Sequence, residues 1–307
     1  MNSRRATGRR SRLMFREHID GWIFALPWLL GFAIWTLGPM IASLIFAFTD
    51  YDMVTPPRWI GMGNLRELIR DPLIVHSLKV TTLYAVASVP LNICLGLILA
   101  MLLNSKIRGL RWYRTGYYLP SVLSGVAAAL LWRWIFSPDF GLFNLVLSWF
   151  GIKGPAWLAD ERWALPALVI MSLWGVGGGM IIYLAGLQGI PTELYEAAEV
   201  DGAGLLAKTF HVTIPMMSPV IFYQLVMGVI GSLQVFTQGY IITAGGPHNA
   251  TLFYMLHLYR NAFEYFRMGY ASVMAWVLFF YILILTLFVF KSSAAWVYYE
   301  GQLRGGR

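Results

Sequence analysis

Amide side chains set inside long apolar runs are the first feature of this sequence with chemical content. Residues 209–259 contain no Asp, Glu, Lys or Arg, yet they hold Gln224, Ser232, Gln234, Thr237 and Gln238, with Phe236 and Tyr240 among them. Gln234 and Gln238 stand four apart and would share one face of a helix. An amide both donates and accepts hydrogen bonds, and an aromatic ring covers an apolar face, so this set can hold the hydroxyl groups of a neutral solute. Ser172, Trp174 and the glycines at 175 and 177–179 stand at comparable depth in a second charge-free run. Consecutive Gly177, Gly178 and Gly179 weaken a helix and let another helix or a ligand come close. Interhelical hydrogen bonding fits Gln234 and Gln238 too, close packing fits the glycines, and Trp174 suits packing or gating as well as stacking. No other arrangement suggests chemistry. The five histidines (18, 76, 211, 248, 257) are dispersed and lack metal-ligand spacing. No Ser/His/Asp set and no paired carboxylates emerge, so no residue is assigned to catalysis or to a metal.

The elements that must position these groups are membrane spans. The chain is 58% hydrophobic and 12% charged, where about 25% charged is usual for a soluble domain. Runs free of Asp, Glu, Lys and Arg cover 21–49, 80–105, 115–132, 163–192, 209–259 and 268–290. The fifth is expected to break near 244–247, at Ala-Gly-Gly-Pro. A helix crosses the hydrocarbon core with about 20 apolar residues, and a charge at its centre costs about 2.5–3.5 kcal/mol on insertion scales. The pattern predicts an all-α polytopic membrane protein with six transmembrane helices. The 13 Trp and 16 Tyr suit two membrane interfaces. The single cysteine, Cys94, lies in an apolar run and reads as a small packing residue. The net charge of +8 reads as membrane orientation and not as nucleic-acid binding.

Basic residues set that orientation. Arg4, Arg5, Arg9, Arg10, Arg12 and Arg16 precede the first run, Lys106, Arg108, Arg111 and Arg114 join the second to the third, and Lys291, Arg304 and Arg307 follow the sixth. With six spans these segments share one side with Lys208, and that side is expected to be cytoplasmic. Residues 50–75, 136–162 and 244–267 then face outward. The first run is too long for a signal peptide and lacks a small-x-small ending, so it reads as an uncleaved span. Arg9-Arg10 reads as part of a basic tail and not as a twin-arginine signal. The expected layout is a cytoplasmic basic tail over 1–20, a six-helix transmembrane domain over 21–292 with a cytoplasmic loop at 192–212, and a cytoplasmic tail over 293–307. Arg133 is the one charge within a span, near its outer end; a proton relay or ion-coupled carrier usually has one nearer the centre.

The loop at 192–212 is a charged island between apolar runs. Thr192 is placed to cap a short helix, after Pro191 stops the span before it. Glu193, Glu196 and Asp201 alternate with Leu194, Ala197, Ala198 and Val200, giving a polar and a small apolar face, and Gly202 ends or bends the helix. Such a helix is too short and charged to span. It lies at the membrane surface, either as an ordinary interfacial helix or with its small face in a cleft of a partner. Gly202 to Thr209 nearly spells a phosphate-binding loop, but Ala207 takes the second glycine position and a charged helix, not a strand, precedes it.

The same segment resembles the Glu-Ala-Ala loop of ATP-binding cassette (ABC) importer permeases. That pattern is Glu-Ala-Ala, three residues, Gly, nine residues and an Ile-x-Leu-Pro-like ending. This chain has Glu196-Ala197-Ala198, three residues, Gly202, nine residues and Val212-Thr213-Ile214-Pro215. Val for Ile and Ile for Leu are conservative departures. Ile190-Pro191-x-Glu193-Leu194-Tyr195, Asp201-Gly202-Ala203, Thr243-x-Gly245-Gly246-Pro247, Asn64-Leu65 and Tyr118-Leu119-Pro120 are similar to the carbohydrate-uptake, maltose-type branch. The resemblance covers nearly the whole chain. It implies a type I ABC importer permease fold and a multi-pass subunit of the prokaryotic cytoplasmic membrane with both termini cytoplasmic. It implies a binding-protein-dependent importer of a sugar or oligosaccharide, built with a second homologous permease, two ATP-binding cassette ATPase subunits and an extracytoplasmic solute-binding protein. No cofactor is expected on this chain, and ATP and Mg would be held by the ATPase. Glu196, Ala197, Ala198, Asp201 and Gly202 would couple to that ATPase. Trp174, Gly175, Gly178 and Gln234, with Phe236 and Gln238 beside them, would line the solute path. An ion-coupled carrier and a non-transporting membrane scaffold are the alternatives.

Overall fold

The computed structural model describes His18 and residues 20–105 and 108–298. Most of the basic tail, Lys106, Arg304 and Arg307 lie outside the described residues, so the expected tails and part of the charge asymmetry do too. The described chain is helical except for one antiparallel ladder of two short strands, β1 (Thr49–Asp50) and β2 (Arg58–Trp59). The helices in order are α1 (Asp20–Phe46), α2 (Gly63–Arg70), α3 (Pro72–Leu103), α4 (Leu110–Val122), α5 (Gly125–Ile135), α6 (Leu142–Trp149), α7 (Glu161–Leu173) and α8 (Gly177–Gln188). Then come α9 (Thr192–Val200), α10 (Leu205–Leu233), α11 (Tyr254–Tyr259) and α12 (Met268–Ser293). Helices α1, α3, α10 and α12 are each long and apolar enough to cross a membrane. Counting α4 with α5 and α7 with α8 as one bent span each raises the number from 4 to 6.

Two expected spans are therefore broken, which run length could not reveal. Helices α4 and α5 meet at 99°, and α7 and α8 at 47°. The first break falls at Leu123 and Ser124, whose backbone is extended just after Pro120. The second falls at 174–176, where Gly175 and the glycines after it are poor helix formers, each about 1 kcal/mol worse than alanine. The fifth run also departs from expectation. Its helix begins earlier, at Leu205, and stops at Leu233, eleven residues before Ala244 at the turn. Gln234 and Gln238 thus lie beyond the helix end and not on one continuous face. Gly228 and Gly231 thin the last turns, and β-branched Val235 and Thr237 follow. Two π turns, at Ala33–Leu37 and Thr209–Thr213, each end two residues before a proline, Pro39 and Pro215. A proline has no N–H for the carbonyl four residues back, and the widened turn absorbs the mismatch.

The chain divides into two compact units. The first comprises Met1–Leu68 and Asn261–Trp276. Within it Asn64, buried, donates from Nδ2 to the carbonyls of Ala47 (3.0 Å) and Thr49 (2.8 Å), fixing α2 against the strand ladder. Arg267 pairs with Glu67 and lies over the ring of Tyr270, 4.7 Å from its centre. The Glu67 carboxylate keeps the Arg267 guanidinium more firmly protonated than usual.

The second unit comprises Ile69–Arg260 and Val277–Arg307. One core cluster gathers Tyr84, Trp132, Phe136, Trp157, Leu168 and Phe253, and a second gathers Leu97, Ala100, Met180, Tyr183, Leu187 and Met217. Asp71 caps α3, accepting from the Leu73 N–H at 2.8 Å. Its other oxygen meets His257 Nε2 at 3.2 Å, while the Tyr254 N–H donates to Thr81 Oγ1 at 2.9 Å, so α11 is tied to α3 at two points. Burial lowers the His257 pKa, against the opposing pull of Asp71.

The start of α8 crosses α4 at the closest approach in this unit. A Cβ on Gly177 would stand 1.8 Å from the Tyr117 carbonyl oxygen, whereas one on Gly178 would meet Ser121 at 3.4 Å, an ordinary contact. Gly177→Ala is expected to lower stability by about 1–3 kcal/mol through overpacking, and Gly178→Ala to leave it unchanged. Thermal melts of the two purified variants check this, and equal melting points would contradict the crossing geometry.

Candidate functional site

A cavity of about 720 Å³ opens among α3, α7, α8 and the segment that ends α10. Gln234, Gln238, Phe236, Gly175 and Gly178 all line it. Trp174 does not. It faces a separate crevice beside Tyr117 and Pro120 and packs edge-on against Trp132, with ring centres 5.9 Å apart. Phe236 stacks on Tyr240 at 5.2 Å and leans on Tyr259 at 4.9 Å, so its ring is held in a three-ring cluster.

One wall escaped the sequence reading. Tyr84, Ser88 and Asn92 come from α3 and stand four residues apart, a polar stripe along one face of an otherwise apolar span. Their spacing was visible, but the absence of charge made the run look uniform. Asn92 Nδ2 donates to the Ser88 carbonyl at 2.9 Å and to Ser172 Oγ at 3.1 Å, joining α3 to α7 across the cavity wall. Ser172 in turn donates to the Val169 carbonyl at 2.7 Å. Among the described residues the lining contains no Asp, Glu, Lys, Arg or His. What it offers is amide, hydroxyl, aromatic ring and glycine backbone. Such a surface can exchange hydrogen bonds with an uncharged polyol and has no charge with which to balance an ion.

The 192–212 segment forms a second feature. Helix α9 starts after Pro191, which occupies the cap position. Thr192 is the first helical residue and makes no capping bond, a correction to the sequence reading. Pro191 suits that place because its extended ψ of 133° turns the chain into the helix and its missing N–H leaves no donor unmet there. The C-terminal end is built on Gly202, which has φ of +79°. The Gly202 N–H donates to Glu199 O at 3.0 Å and the Ala203 N–H to Ala198 O at 2.8 Å, the paired bonds of a Schellman cap. Residues 202–209 are thus a helix cap followed by the first turn of α10. Glu196, Ala197 and Asp201 are exposed, and Ala198 is half-buried. Lys208 pairs with Glu199 across the turn. The Tyr195 hydroxyl and Thr213 Oγ1 lie 3.0 Å apart, tying α9 to the foot of α10. Val200 and Leu205 are 89% and 81% exposed, with Leu206 and Phe210 beside them, so an apolar edge points away from this chain.

Comparison with known proteins gives a consistent set of similarities. The family described as "Binding-protein-dependent transport system inner membrane component" matches residues 92–298. The chain is 43% identical over 299 residues to the probable ABC transporter permease protein YesP of Bacillus subtilis (strain 168), covering 96% of each protein. It is 36% identical over 296 residues to the lactose transport system permease protein LacF of Rhizobium radiobacter, covering 94% of this chain and 98% of that one. Among solved structures it is similar to a chain of a bacterial alginate ABC transporter in complex with an alginate pentasaccharide-bound periplasmic protein. There the TM-score is 0.78 and the identity 25%, over 92% of this chain and 97% of the other.

The tie between α9 and α10 yields a local test. Tyr195→Phe removes one partly buried hydrogen bond, about 1 kcal/mol. Backbone amides at 192–203 should then exchange with solvent roughly fivefold faster, with the global melting point unchanged. Unchanged exchange in hydrogen–deuterium measurements would mean that packing alone holds α9.

Proposed function

Because the chain belongs to the family of binding-protein-dependent transport system inner membrane components, which are ABC-transporter permeases, we propose that it is the permease of an ATP-driven importer of a sugar or oligosaccharide. The observation that carries this reading is the cavity: amides, hydroxyls and aromatic rings with no charged side chain among its lining residues. Relatives named for lactose, starch degradation products and arabinooligosaccharides support the solute class. In this reading Gln234 and Gln238 exchange hydrogen bonds with solute hydroxyls as water is shed, and Phe236 covers an apolar sugar face. An ion-coupled carrier would need a charge at such a site.

The remaining parts follow from the same reading. The chain has no catalytic role of its own. ATP and Mg are held on two separate ATPase subunits, a second homologous permease completes the path, and an extracytoplasmic binding protein delivers the solute. The alginate transporter complexed with a periplasmic protein supports that assembly. The exposed face of α9, with Glu196, Ala197, Ala198, Asp201 and Gly202, enters a cleft of the ATPase, and its apolar neighbours Val200 and Leu205 add buried area. The excess of basic residues on one side supports a cytoplasmic position for α9 and both termini.

Two tests follow. Glu196→Lys reverses an exposed charge on α9, and Gly202→Asp places a side chain at φ +79°. Both variants should insert and fold, yet lose association with the ATPase or uncouple hydrolysis from uptake. Wild-type transport by both would make α9 a plain interfacial helix. The solute reading is tested by uptake of labelled lactose, maltotriose and arabinotriose by the assembled complex. Gln234→Leu should lower transport of the carried sugar about tenfold at matched complex levels, because a buried solute hydroxyl left unpaired costs about 1–3 kcal/mol. Full uptake by well-assembled Gln234→Leu complexes would move the solute contacts elsewhere in the cavity.

A further inference from the structure

The cavity reaches well past the two glutamines. Gln224 lies ten residues before Gln234 on α10, about 15 Å nearer the α9 end at the rise of a helix, and it also lines the cavity. Opposite it stands Tyr183 of α8, 1% exposed. The Tyr183 hydroxyl is buried and makes no hydrogen bond of full geometry; the polar group that approaches it is the Gln224 side chain. The ring fits because glycines flank it. A Cβ on Gly96 of α3 would lie 2.9 Å from Tyr183 Cε2, and one on Gly179 of α8 would lie 3.8 Å from the same atom. That Gly179 position is also 2.6 Å from Gln224 Nε2, so the phenol and the carboxamide converge on one spot where α3, α8 and α10 close together.

A buried hydroxyl with no partner costs stability, and phenylalanine would fill the same ring volume without that cost. The oxygen therefore adds little to the stability of this conformation beyond its approach to Gln224. Its place gives it a use when the helices part. Tyr183 belongs to the core cluster that includes Leu187, Ile190 and Met217, and Tyr195 of α9 packs against that cluster. A displacement of α9 thus reaches Tyr183 through continuous packing, whereas Gln234 sits at the far end of α10.

We propose that Tyr183 and Gln224 form an inner hydrogen-bonding station for the solute, closed in this conformation and engaged as the solute leaves Gln234 and Gln238 toward the α9 side. This rests on the sugar-permease reading. The station accepts the same neutral polyol: the phenol donates to a solute hydroxyl and the carboxamide both donates and accepts. It spares the solute an unpaired step between the outer half of the cavity and the exit.

The test uses the assembled complex in proteoliposomes and the sugar of the panel above that the wild type carries. Tyr183→Phe should keep or raise the melting temperature, since no internal bond is lost, and should cut the maximal uptake rate about three- to tenfold. Gln224→Met, of similar volume, should cut it by a similar factor, and the double variant by little more than either alone. A Tyr183 that only fills space predicts the same melting temperature with full uptake, so the uptake rate separates the two. Full uptake by Tyr183→Phe beside impaired Gln234→Leu overturns the station and leaves the sugar reading intact. Carriage of none of the three sugars by the wild type overturns both.

Discussion

A backbone amide inside a bilayer has no water to bond with, so any interruption of a helix at membrane depth must be met by protein or must line a polar space. That constraint organises this molecule. Three spans are interrupted: at Leu123 and Ser124, at 174–176, and at Gln234. The interruptions meet. A Cβ on Gly178 would touch Ser121, and one on Gly125 would touch Thr237. Residues of the second and third interruptions line the cavity. Two of the three interruptions therefore border one polar space, and the backbone at the breaks is met by short local turns: Leu123 N–H donates to Pro120 O, Trp174 N–H to Met171 O and Gln234 N–H to Gly231 O.

Close gathering requires small residues, because helices in lipid are held by contact and not by expulsion of water. Gly96, Gly177, Gly179 and Gly228 mark the approaches, each with a neighbour within 3.0 Å of where a Cβ would stand. The polar bond from Asn92 to Ser172 then fixes α3 against α7 at the cavity wall. In an apolar surrounding one such bond sets rotation as well as distance, so the walls present Tyr84, Ser88 and Asn92 inward together.

Much of this was legible in the residues. Charge-free runs located the four long helices and the two bent pairs, although the fifth run overshot its helix end, and the spacing around Glu196 and Gly202 gave a short helix ended by a glycine. What failed was continuity. Run length measures hydrophobicity, which a bent span keeps, so the breaks at Leu123 and Gln234 left no trace in it. Gln234 and Gln238 both line the cavity, but by way of a helix end and not of a shared helical face. The α3 stripe was missed for a related reason: three uncharged polar residues four apart barely lower hydropathy over a 32-residue helix, although they define a face. Thr192 failed as a cap because Pro191 already sets the entry geometry.

The two ends of the molecule's function are joined by short mechanical paths. Helix α9 follows α8 after three residues and precedes α10 after a glycine cap, so both helices that flank the inner cavity are anchored in the loop proposed to dock the ATPase. The Tyr195–Thr213 contact and the Lys208–Glu199 pair make that loop one body with the foot of α10. A displacement of α9 is passed by these contacts to the foot of α10 and by the three-residue link to the end of α8. The elements that would yield are those with the weakest internal hold, the glycine-rich start of α8 and the unwound end of α10, and both border the cavity. Coupling in this fold needs no long relay of side chains, only a stiff loop at one end of two helices and soft joints at the other.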